Sequence, residues 1–212
     1  MATPGLPAPL PEGERLLWQG SPSWKALAAR TFHGRMIILY FGLLLLWVVV
    51  DGVTGGLAPA DIAVRLVWFA SLAVVGSGLV VLLAWLTART TVYTVTDRRV
   101  VLSYGIAMPM SLNLPFARVA SAGMRAFKDG TADIPLAMAA GDKLAYLLLW
   151  PHARPWRISQ PEPTLRAVPD GVRVAGILAR ALAAAADQPV QAVAVRESPA
   201  GTAASMPTAA AA

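Results

Sequence analysis

The chain contains no cysteine. Disulfides, thiolate nucleophiles and thiolate metal sites are therefore excluded, and a reducing compartment fits. Histidine is nearly as scarce: His33 and His152 are the two present, far apart and at no metal-ligand spacing such as His-x-x-x-His. Asp129, Asp133 and Asp142 fall in or near expected turns, where Asp serves the backbone, and make no paired-carboxylate site. The glycines of residues 52–56 lack a following Gly-Lys-Ser/Thr, so no phosphate loop is read there. These absences leave no nucleophile, metal cluster or acid–base pair, and the chain reads as a non-enzyme with no cofactor. Residues 1–20 lack the apolar core of a cleavable signal peptide.

Charge is the other scarcity. Charged residues make up 14% of the 212 and hydrophobic ones 56%. Two stretches are almost free of charge. Residues 37–53 are apolar until Asp51, and residues 62–86 carry only Arg65 near their start. A spanning helix needs about 20 mostly apolar residues, because lipid offers no partner for unpaired backbone groups. The two runs therefore predict a transmembrane hairpin with spans at about residues 36–53 and 62–86. Trp47, Trp68 and Trp85 lie toward the run ends, where amphipathic rings favour the interface. The link, residues 54–61, has no Lys or Arg, whereas Lys25, Arg30 and Arg35 precede the first span and Arg89, Arg98 and Arg99 follow the second. The positive-inside rule places both termini in the cytoplasm and the short link outside. Arg65 lies one turn inside the boundary, where it either snorkels outward or pairs with Asp51 or Asp61. The net charge of +6 then points to anionic headgroups, not nucleic acid.

Around the hairpin the pattern changes. Residues 1–22 read as an extended or disordered lead-in, Pro-rich at first, with a short apolar patch at Leu16, Leu17 and Trp18. Trp18 and Trp24 are either interface anchors or packing residues of a soluble domain. Ser23 is the expected cap of a helix running on into the first span, so residues 23–86 form the interfacial segment and hairpin. Residues 87–187 read as one small domain. Short β-type segments are expected at 90–96, 99–105, with Val100, Leu102 and Tyr104 on one face, and at 111–114, 119–127, 131–138 and 143–150. A helix over 169–186 follows, with Val172, Ala175, Leu178, Ala179 and Leu182 on one face. Residues 188–212 lack periodicity and read as a disordered tail.

This order of parts resembles the bacterial pleckstrin-homology (PH)-like domains, in Tyr93, Thr96, Asp97, Arg98, Arg99 and Gly105 and in LPFARV at 114–119. The ERLLWQGSP opening at 14–22 looks like the segment preceding the membrane hairpin in such proteins. YLLLWPHARPWR at 146–157 and PTLRAVPD at 163–170 resemble the PuhB family of photosynthetic-complex assembly proteins. The resemblance implies an α+β membrane protein: a two-helix hairpin plus a small antiparallel-β PH-like domain capped by a C-terminal helix. It also implies a role in building the reaction-centre and core light-harvesting complex, with that complex's membrane subunits and the lipid bilayer as partners; a homo-oligomer is left open by the sequence. The alternative is a general membrane-surface protein of the same architecture, binding lipid or another membrane protein. One departure stands out. Domains of this type often carry basic residues just after the glycine ending the first hairpin, but residues 106–110 here are uncharged. No lipid-headgroup site is therefore carried over.

Two stretches offer contact chemistry. Residues 150–157 combine Trp150, His152, Arg154, Trp156 and Arg157, and Trp and Arg are the types in which interface energy concentrates. The competing reading makes Trp150 the end of a core strand and Trp156 a packing residue under the loop. Gly76 and Gly78 in the second span either admit a neighbouring helix or mark a flexible point. His33 reads as an interfacial polar residue, because a pigment-ligating imidazole belongs within a span and neither span has one.

Overall fold

The computed structural model describes residues 9–106, 108–139, 149–153 and 161–186. Strand β1 (Leu16–Gly20) opens the fold, so the apolar patch of the lead-in belongs to the sheet. Its physical reason is pairing: β1 runs antiparallel to a later strand, with Gly20 opposite Tyr93 and Leu16 opposite Thr96. Trp18 packs half-buried against the domain core, which decides between its two readings. Glu14, just ahead of β1, receives both forks of Arg99 at 2.8 and 2.7 Å.

Helix α1 (Trp24–Ala26) starts behind Ser23 and widens into a π-type turn, Leu27–Thr31. Ser23 holds the expected N-terminal position, but its hydroxyl makes no cap bond. Its N–H instead donates to the Ala167 carbonyl at 2.9 Å. The helix does not run on into the first span. His33 takes a left-handed conformation (φ 54°), and the chain restarts as α2 (Gly34–Thr54). A side chain at Gly34 would meet the Ala28 carbonyl at 2.7 Å, so this bend needs glycine.

Helix α3 (Pro59–Thr90) returns antiparallel to α2, with Pro59 in its first turn. Both helices are long and apolar enough to cross a membrane, and their apolar side chains are largely exposed. At 1.5 Å per residue α3 is about 48 Å long, against about 30 Å for a hydrocarbon core. It therefore runs past the expected end at residue 86. Ala84, Thr87 and Ala88 are buried, and the two alanines pack with Ala26, Leu27 and Ala167 in a small second core. No linker separates hairpin from domain. The hairpin is an insertion between two neighbouring strands, and its entry and exit are pinned side by side.

Strands β2 (Val92–Thr96), β3 (Arg99–Tyr104) and β4 (Met110–Pro115) complete the antiparallel sheet β1-β2-β3-β4. Val100, Leu102 and Tyr104 are buried on the expected face, and Thr96 closes the β2–β3 turn by accepting the Arg98 and Arg99 N–H groups. The expected strand at 119–127 is interrupted. It forms β5 (Val119–Ala122) and β6 (Arg125–Ala126), both paired with β7 (Ala132–Met138). The interruption faces Pro135, which has no N–H to donate but accepts one from Gly123 at 2.9 Å. Strand β8 (Thr164–Val168) pairs with β7 on its other side.

Helix α4 (Gly171–Ala185) caps the domain. It buries Val174, Ala175, Leu178 and Ala181, whereas Val172 points to solvent. The buried face is thus rotated from the expected one, because Gly171 sets the first turn directly against Ala132, leaving no room for a Cβ. Both sheets and α4 share one core, around Tyr93, Leu102, Leu136, Leu165 and Leu178.

Candidate functional site

The segment of greatest chemical interest, residues 150–157, is described as far as Ala153. Most of the strand expected at 143–150 lies outside the described residues; Leu149 and Trp150 themselves lie in a tight turn in which the His152 N–H donates to the Leu149 carbonyl. Leu149 is buried, but Trp150 is 58% exposed and meets Phe32 edge-on at 5.8 Å. Phe32 lies two residues before α2, so Trp150 stands at the base of the hairpin. Arg154, Trp156 and Arg157 lie outside the described residues.

His152 departs most from the sequence reading. Its side chain is fully buried and therefore cannot contact a partner. The ring lies edge-on to Tyr93 and tilted against Tyr104, with centroids at 5.7 and 5.1 Å. Nδ1 is 2.9 Å from the Tyr93 hydroxyl and Nε2 is 3.3 Å from the Thr91 hydroxyl. The Tyr93 hydroxyl accepts the Arg166 N–H at 3.1 Å and has two acceptors for its own proton, Nδ1 and, at a longer 3.5 Å, the Arg166 carbonyl. With the phenol donating to the nearer Nδ1, the Nε2 proton goes to Thr91 and the imidazole is neutral. Burial, aided by the Arg166 charge, pushes its pKa down to about 3. Burial likewise pushes the Tyr93 phenol up.

The network continues through β8. Arg166 donates to the Ala153 carbonyl at 2.8 Å and lies 3.5 Å from the Asp133 carboxylate. Asp133 also accepts the Ala167 N–H at 2.8 Å, holding Ala167 in a left-handed conformation (φ 50°). Asp133 is thus a strand residue that fixes Ala167, and Ala167 in turn anchors Ser23. The His152 carbonyl accepts the Thr164 N–H at 2.7 Å. A turn bound at so many points presents Trp150 from a rigid base. Sequence reasoning missed Tyr93, Thr91, Asp133 and Arg166 as a unit. A signal was present in β8: an arginine between apolar neighbours must find partners if buried.

A second clamp ties the pre-hairpin segment to the domain. Arg30 donates to the Asp129 carboxylate at 2.8 Å and to the Thr131 hydroxyl, with its guanidinium 3.8 Å from the centre of the Phe127 ring. Burial would raise the Asp129 carboxyl, but bonds from Thr131 and Arg30 hold it below its ordinary value.

Within the hairpin the two candidate glycines behave differently. A Cβ at Gly76 would meet the Phe41 ring at 3.2 Å, so Gly76 serves the α2–α3 contact. Gly78 faces open space. Gly52, not singled out from sequence, lies against Ile62 at a Cβ distance of 2.7 Å. Arg65 pairs with Asp51 at 3.5 Å, one of its two expected partners. His33 is exposed at the start of α2.

Hairpin, two antiparallel sheets and capping helix define the class. Residues 37–182 match the family model of the bacterial PH domain, and the chain belongs to that family. A relative in Rhodobacter capsulatus is 35% identical over 192 residues, covering 88% of this chain and 87% of its own length. It is described as an uncharacterized 23.7 kDa protein in the puhA 5' region. Both findings agree with the resemblance to PuhB-type proteins carried by residues 146–157 and 163–170. No solved structure matches the chain.

Proposed function

We propose that this protein is a non-enzymatic assembly factor for the photosynthetic reaction-centre and core light-harvesting complex. The observation that carries the reading is the relative in the puhA 5' region, similar along nearly its whole length, joined to a PH-type domain on two apolar helices. The hairpin crosses the inner membrane twice, with both termini and the domain in the cytoplasm, as the arginine-rich flanks favour. It holds the domain beside nascent membrane subunits. Trp150, with Arg154, Trp156 and Arg157 after it, supplies the contact surface, and His152 serves that surface from inside by fixing the turn. The open face at Gly78 is the place for a partner helix or a second copy.

The test is removal of the protein from a phototrophic host. Assembled core complex, read by near-infrared absorption of intact membranes, should fall while total membrane protein stays normal. Normal absorption together with a defect in dark growth would instead support a general envelope role.

A further inference from the structure

We infer that the β3–β4 hairpin tip, carrying Ile106, Met108 and Met110, inserts into the bilayer surface as a third membrane contact beside α2 and α3. The inference rests on the proposed membrane crossing of those helices. Register carries it. β2 starts at Val92, directly after α3 ends at Thr90. β3 runs back toward that end, pairing Ser103 with Val92, and Tyr104 then pairs with Met110. The tip thus projects past the junction on the hairpin side, by about 7–10 Å at strand rise. β3 also contacts α3 directly. Trp85 on that last stretch of α3 stacks with Arg89 at 5.1 Å, an aromatic–basic pair suited to the headgroup level.

The tip's composition fits lipid and not water. Met108 is 75% exposed, as much as Trp68 on the hairpin at 74%, and Ile106 is 49% exposed. No charge falls within residues 106–110. At the base of the turn Gly105 has φ 124°, and a Cβ there would run into the Met108 carbonyl. Isoleucine and two methionines exposed together on one turn are unfavourable in water. Trp24 is exposed with Lys25 over its ring, and Arg35 and Arg89 flank the apolar helices in sequence. Cations at the ends of apolar helices complement anionic headgroups above an acyl layer. Three contacts at one end fix the tilt of the domain, and with it the height at which Trp150 stands above the membrane.

Because the chain has no cysteine, single cysteines report alone. Met108→Cys, Arg98→Cys at the opposite β2–β3 turn, and Val74→Cys in α3 are labelled with an environment-sensitive fluorophore. The full chain is placed in vesicles of phosphatidylethanolamine and phosphatidylglycerol. The Met108 probe should emit at shorter wavelength than the Arg98 probe, resist aqueous iodide, and be quenched by a nitroxide placed high on the lipid chain. The Val74 probe should respond to a deep nitroxide. A Met108 probe that matches Arg98 while Val74 responds overturns the inference and leaves the hairpin reading standing. Exposure in vesicles with shielding in native membranes also overturns it, because a protein partner then covers the tip. A Val74 probe insensitive to lipid nitroxides overturns the hairpin reading and this inference together.

Discussion

Hairpin and domain use the same residue types in opposite ways. Val74 on α3 is 72% exposed, whereas Val95 on β2 is fully buried. Leu39, Leu43 and Leu46 face outward, while Leu102, Leu136 and Leu165 form the core. Polarity is inverted as well. The domain buries His152, Arg166 and Thr91 in a bonded network, whereas the hairpin's one charge pair, Arg65 and Asp51, sits half-exposed at the end near the link. The difference shows that residue type alone does not set burial. The domain is stabilised by taking apolar area out of water, whereas the hairpin leaves most of its apolar area facing outward. The two meet without a linker: β2 starts at Val92, two residues after α3 ends at Thr90.

The sharpest way to break the contrast is Leu102→Asp. An unpaired carboxylate in the core costs several kcal/mol, against a total stability of about 5–15 kcal/mol. The domain should lose protease resistance while the chain stays in the membrane fraction through its hairpin. Resistance equal to the parent would refute the β3 register.

Acid should act next most strongly, through His152. The folded ring accepts a proton only near pH 3, whereas the unfolded one does so near 6.5. Between those values the unfolded state binds more protons, so stability falls as pH falls, by up to about 1.4 kcal/mol per unit from this group. Chemical denaturation across that window should show the slope, and His152→Gln, which never charges, should flatten it.

Gly171→Ala should cost less, about 1–3 kcal/mol, because the new methyl overlaps Ala132 where α4 meets β7. A lowered melting temperature with unchanged helix content checks it. Arg30→Ala should cost a similar amount or less. Its pair with Asp129 is partly exposed, at 25% and 47%, and contributes under about 1 kcal/mol after solvent screening; the Thr131 bond and the Phe127 contact are lost with it. The measurable effect should be faster proteolysis within residues 24–33, where α1 is held to the domain.

The features legible in the sequence were those with strong local periodicity. Two long apolar runs, the β2–β3 hairpin around Asp97 and Arg98, and the capping helix all carry their own pattern. Long-range pairing carried none. Nothing within residues 16–20 says that they join β2 across the whole hairpin. Pro135 broke the strand opposite it, an effect invisible at residues 119–127. The site was half legible: tryptophan and arginine marked the segment, but the burial of His152 depends on Tyr93 and Arg166, many residues away on either side. The uncharged run after Gly105 departs from related domains already in the sequence. Which end of the sheet it occupies depends on the pairing of Tyr104 with Met110, a contact that no local pattern encodes.

The central claim is that the outward-facing hairpin lies in a membrane and the domain lies on one side of it. Impermeant thiol labelling of intact cells carrying Thr54→Cys or Arg98→Cys tests this directly, since Thr54 ends α2 beside the link and Arg98 lies at the far turn of the domain. The account predicts that Thr54→Cys is labelled from outside and that Arg98→Cys is labelled only after the membrane is opened. Labelling of both in intact cells would contradict it.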